Sequence, residues 1–216
     1  MARTDNPLLR ATYFVDSEHD AIKTFTARVT ADAAGEGQRA TALFAAVRDK
    51  IRYNPYSISQ EPADYRASSV LSGGANWCVP KAVLLAATAR AAGIPCKLGF
   101  ADVRNHLSTP KLQALMGTDL FVYHGYVEWL VEGSWNKVTP AFNSELCARS
   151  GVSPLEFEAG HDAVLHEFAG DGHLYMQYVR DRGTFVDLPL EEILAALRTT
   201  YQGRVNSSMN HDAEEF

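Results

Sequence analysis

The sequence predicts a single-domain α+β protein, on three observations. Helical periodicity fills the first half, two-residue alternation begins after Gly93, and no repeat, low-complexity block or linker divides the chain. The 216 residues suffice for one well-buried core, and 46% hydrophobic with 21% charged residues describe an ordinary globular composition. A net charge of −6 argues against nucleic acid or an anionic membrane surface as the main partner. The longest apolar run, 82–89, is too short to span a bilayer. Three cysteines with no CxxC pair exclude a disulfide framework and a zinc knuckle, which places the chain in a reducing, cytoplasmic compartment where a thiol stays free.

Ile22, Phe25 and Val29 recur at helical spacing, and Leu43, Phe44, Val47 and Ile51 make a second amphipathic face that ends before Pro55. Residues 57–75 read as a polar loop closing on Ser72-Gly73-Gly74. Pro80 to Ala92 is the strongest helix, interrupted only by Lys81, Thr88 and Arg90 and stopped by Gly93, as a helix buried against a sheet requires. Strands follow at 96–103, 120–131 and 134–139, the last two joined as a hairpin across Glu132-Gly133. A further hairpin is expected from 174–179 and 184–188 around Asp181-Arg182-Gly183. A final helix is expected over 189–201 with Asp187 as its cap. The domain is expected to run over 1–205, leaving 206–216 as a flexible tail.

Chemistry concentrates where a glycine-bearing turn meets the strongest helix. Cys78 stands at that junction, where exposed N–H groups and the helix dipole favour a thiolate. Such a nucleophile needs a base on a rigid facing element, and His124, in the alternating strand with Gly125 beside it for close approach, fits. His106, His161, His166, His173 and His211 fall in irregular or polar stretches, and His166-Glu167 has no second histidine for a zinc helix, so no metal and no cofactor are expected. Cys78's own N–H is the first oxyanion donor, with Asn76, Tyr53 or the Trp77 indole as a second. Strand alternation sets His124, Tyr126 and Glu128 on one face, making Tyr126 a cleft neighbour.

Gly-Gly-x-x-x-Cys-x-x-Lys-Ala-x-x-Leu from Gly73, followed by Arg-Ala-Ala-Gly-Ile-Pro from Arg90, resembles the nucleophile helix and next strand of the transglutaminase-like superfamily. His124 to Trp129, then Gly133 to Pro140, resembles the family's histidine strand, hairpin and tryptophan, so the resemblance covers residues 38–143. It implies a papain-like α+β core, with N-terminal helices and the nucleophile helix packed on an antiparallel sheet, and a Cys, His, Asp triad for amide hydrolysis or acyl transfer.

By position, Cys78 is the implied nucleophile and His124 the implied base and acid, but the aspartate's place before the proline holds Thr139. A threonine hydroxyl accepts the imidazole Nδ1 hydrogen bond without supplying charge. Asn143 and Asp162 are the alternative orienting residues. The expected function is a cysteine peptidase or amide hydrolase working through a thioester on a peptide or small-molecule amide or thioester. The alternatives are an amide-forming acyltransferase and a binding protein with a degenerate triad.

Overall fold

In the computed structural model, which describes residues 6–105, 110–164 and 176–202, helices give way to sheet where the hydrophobic period changes, at Gly93. Before it come α1 (Asp20–Val29), α2 (Glu36–Lys50), a short strand β1 (Arg52–Tyr53), a 3₁₀ turn at Pro62–Tyr65 and α3 (Ala67–Ser72). A second short strand, β2 (Ala75–Asn76), pairs parallel with β1 and leads into α4 (Cys78–Ala91). After it come β3 (Cys96–Asn105), α5 (Pro110–Met116), β4 (Leu120–Val131), β5 (Ser134–Val138), α6 (Ser144–Arg149), β6 (Met176–Phe185) and α7 (Leu190–Thr200). The four long strands form one antiparallel sheet in the order β5-β4-β3-β6, the α+β architecture expected.

Helix α4 is buried from Cys78 through Arg90, and it packs on β4 among α1, α2 and α3. Its three polar interruptions all donate to carbonyls. Lys81 Nζ donates to the oxygens of Arg48 (2.8 Å) and Ile51, sealing the C-terminal end of α2. The Arg90 guanidinium donates to Arg10, Cys96 and Val186, and Thr88 to Leu85. The helix starts at Cys78, before Pro80, because a proline in the first turn lacks an N–H that would have no intrahelical partner. It ends on Gly93 at φ +86°, with Ile94 N–H donating to Ala89 O.

Glu132 and Gly133 both have positive φ (49° and 81°), the two-residue turn whose twist suits a tight hairpin. Glu132 is held there by α2, through Gly37 N–H donating to its carboxylate and its own N–H donating to Glu36. The hairpin expected around Asp181-Arg182-Gly183 is instead one strand, β6, antiparallel to β3 throughout. Its register slips twice against β3, so the turn-like residues make bulges, with Gly183 at φ +87° bonded back to Asp181. Asp187 does not cap the last helix, whose N-cap is Pro189. The 206–216 tail and the start of the 174–179 strand lie outside the described residues. No helix among the described residues is long and apolar enough to cross a membrane.

Candidate active site

Cys78 opens α4 directly after the N-cap Trp77, so its sulfur sits at the N–H end of the helix. Burial pushes its thiol up to about 11, against the backbone N–H groups of Gly125, Val79 and Cys78 and the Lys81 charge, which all favour the thiolate. This reverses the direction expected from the helix start alone, because the same packing that delivers N–H groups to the sulfur also removes water from it. Gly125 explains the closeness. A Cβ there would lie 3.1 Å from Val79 Cα and 3.3 Å from Cys78 O, so only glycine lets β4 approach the start of α4 this tightly.

His124 precedes that glycine and is buried. Thr139, just past β5, places Oγ1 3.3 Å from His124 Nε2 and donates a 2.9 Å hydrogen bond to Gly125 O. A hydroxyl has one hydrogen, and a carbonyl can only accept. With that hydrogen on Gly125 O, Oγ1 is an acceptor for Nε2–H, which corresponds to the tautomer with Nδ1 as the basic nitrogen. The expected contact was to Nδ1; the opposite nitrogen is the one held.

Upstream of His124 the strand carries a bulge. Ala101 pairs with His124 and Val103 with Phe121, so Val122 and Tyr123 together oppose Asp102, with Tyr123 at φ 56°. Side chains take up the displaced backbone groups. Tyr123 N–H donates to Asp102 Oδ1 (3.1 Å) and Val122 N–H to the Tyr201 hydroxyl (3.0 Å), which itself donates to Leu120 O. Asp102 is in turn bound bidentately by Arg182, the residue that a bulge pushes out of β6.

The remaining candidates separate. Asn143 is buried, but its Oδ1 accepts from Tyr53 N–H at 3.0 Å, tying β1 to the start of α6. Asp162 is exposed and accepts from Lys137 N–H at 2.7 Å on the edge of β5. Neither is among the residues lining the Cys78 cavity. Asn76 turns its Oδ1 to Trp77 N–H. The Trp77 Nε1 ends buried without a hydrogen bond; the Tyr65 hydroxyl approaches it only outside bonding geometry. Tyr126 shares the parity of His124 but not its cavity, because its ring lies across Gly99, where a Cβ would fall 2.2 Å away, and joins a separate cluster with Val103 and Met176. Glu128 pairs with Lys97 instead. Of the other histidines, His161 is exposed, and His106, His166, His173 and His211 lie outside the described residues. Among the described residues no three His, Cys, Asp or Glu side chains group as metal ligands.

Cys78 and His124 open onto one cavity of about 430 Å³, including its mouth. Tyr53, Pro55, Ile58, Trp77, Phe121 and Val122 line it, together with Leu112 and Met116 of α5, Leu197 of α7 and Tyr201, which caps that helix. Those two helices were the part of the site that sequence reasoning did not find. The only signal was an i, i+4 apolar pair on each, which by itself reads as core.

A family model described as the transglutaminase-like superfamily matches residues 23–140, more than half of the chain. No curated protein matches. Among solved structures, a "putative cysteine protease" from Cytophaga hutchinsonii is similar at 17% identity and a TM-score of 0.47, over 62% of this chain and 40% of that one. A "putative protease" from Parabacteroides distasonis is similar at 21% identity and a TM-score of 0.42, over 58% of this chain and 24% of that one. The chain thus spans less than half the length of either.

Proposed function

Because the chain belongs to the transglutaminase-like superfamily, which supports a thiol-dependent enzyme, we propose that it is a cysteine acyl-transfer enzyme whose nucleophile is Cys78 and whose base is His124, and that it hydrolyses amide or thioester bonds. The observation that carries this reading is the direction of the Thr139 hydrogen bonds. They support a neutral His124 with its proton on Nε2, so that Nδ1 serves as the base in the cavity that Cys78 shares.

At rest the buried thiol holds its proton. As Sγ attacks the acyl carbonyl, Nδ1 takes that proton, and the oxyanion is met by the Cys78 N–H at the start of α4. The imidazolium then protonates the leaving amine or thiolate, and the thioester on Cys78 remains. Water attacks it, Nδ1 accepts the water proton, and Cys78 recovers its own as the acid departs. Thr139 orients the ring throughout without adding charge.

Transfer to an amine is the second reading. It is favoured by the apolar walls, which limit water around the thioester. Intact-mass measurement of acylation, with and without added amine, tests both. Cys78→Ala should abolish the acyl adduct, and His124→Ala should slow its formation by ~10²–10⁴-fold, both with an unchanged circular dichroism spectrum. An adduct that survives Cys78→Ala would show that the nucleophile lies elsewhere.

A further inference from the structure

We infer that the cavity beside Cys78 is an acyl pocket that takes an uncharged apolar acyl group, aliphatic or aromatic, and rejects one bearing a carboxylate. The inference rests on Cys78 as the nucleophile and adds the class of donor. Apart from Cys78 and His124, every described residue lining the cavity is apolar or aromatic. Leu112 and Met116 line it from α5 and Leu197 and Tyr201 from the C-terminal end of α7, each pair one helical turn apart.

Trp77 Nε1 is a neutral donor without a hydrogen bond, and the Tyr201 hydroxyl and the Lys81 ammonium are already used. The Tyr201 hydroxyl donates to Leu120 O and accepts from Val122 N–H, and Lys81, one turn along α4 from Cys78, gives its ammonium to the carbonyls of Arg48 and Ile51. A carboxylate entering this space would lose its water and gain no Lys or Arg partner from the described residues that line it, whereas an alkyl or phenyl group gains burial. The enclosed space is about 30 Å³, room for the end of an acyl chain, and the rest of the group lies in the open mouth that brings the whole to about 430 Å³. Helix α7 lies beyond the 23–140 match.

N-acetylcysteamine thioesters of butyrate, benzoate, succinate and monomethyl succinate test this with one leaving group. Sγ bonds to the acyl carbon, the thioester C–S bond breaks, and the Cys78 proton passes through His124 to the departing thiolate. Intact mass against time gives each acylation rate. Butyryl and benzoyl should exceed succinyl at least tenfold, with the methyl ester restoring most of the lost rate.

Met116→Lys supplies the missing cation and should cut the butyryl-to-succinyl ratio at least tenfold, while Met116→Leu leaves it unchanged. Thermal melts accompany both, and a ratio does not depend on the folded fraction. A wild-type ratio under tenfold, or one that folded Met116→Lys does not move, would overturn the acyl-pocket inference alone. Failure of all four donors to modify Cys78, or an adduct surviving Cys78→Ala, would overturn the nucleophile assignment beneath it.

Discussion

Two buried polar pairs stand on either side of the β4 bulge, one charged and one neutral. Asp102 and Arg182 form a bidentate ion pair at 2.8–3.1 Å, and the carboxylate also holds Tyr123 N–H where the bulge breaks the ladder. His124 and Thr139, next along the strand, meet at 3.3 Å with no formal charge between them. The charged pair fixes backbone that the sheet itself leaves unpaired. The neutral pair fixes a ring and leaves its proton free to move. An aspartate in place of Thr139 would favour a standing imidazolium, whereas the threonine hydroxyl supplies no charge.

If the charged pair carries the bulge, its loss should produce the larger cost. Asp102→Ala leaves Arg182 without its partner and Tyr123 N–H without an acceptor, so a loss of about 3 kcal/mol is expected in urea denaturation, the low end for a broken buried pair because Arg182 retains some exposure. Asp102→Asn keeps an acceptor for Tyr123 and should lose less. Equal losses for the two substitutions would mean that the N–H bond contributes little and the comparison misplaces the clamp.

The state of the thiol sharpens the other half. With Cys78 near 11 against an ordinary 9, two units at about 1.4 kcal/mol each, iodoacetamide should label it about a hundredfold more slowly at pH 8 than an unperturbed thiol. The labelling rate should climb with pH toward 11. The sign for stability follows. A folded pKa raised above the unfolded one gives a contribution that is full below about 9 and lost as pH rises through about 11, so Cys78→Ala should flatten the stability profile across that window. A labelling plateau below pH 7 would mean a standing ion pair instead.

The sequence made the site's local parts legible and its assembled parts not. Cys78, His124 and Thr139 stand at motif positions, on a helix start and two strands joined by a two-residue turn, so spacing alone brings them near one another. Gly125 was legible for the same reason. The cavity walls were not, because Leu112 and Leu197 meet only through tertiary packing and each is indistinguishable in sequence from a core residue. The direction of the thiol shift depends on how much water α4 excludes, which no motif records. Asp181-Arg182-Gly183 has turn chemistry, and a bulge uses the same chemistry as a hairpin.

The smallest effect expected comes from Thr139 itself, and it tests the neutral pair most directly. Thr139→Val keeps the shape but removes the acceptor for Nε2–H and the donor to Gly125 O. About 1 kcal/mol, or roughly fivefold in acylation rate, should be lost. Thr139→Ser preserves both bonds and should restore the rate, which a loss of packing alone would not predict. Thr139→Asp puts a carboxylate against Nε2–H and should raise the imidazole pKa. The histidine then stays protonated to a higher pH, so the acid limb of the acylation profile should move upward. The added charge also favours transfer of the resting proton from Cys78 to His124, so the alkylation inflection of Cys78 should move down. Wild-type behaviour from Thr139→Val, together with an unmoved inflection in Thr139→Asp, would mean that the hydroxyl sits beside the ring without orienting it.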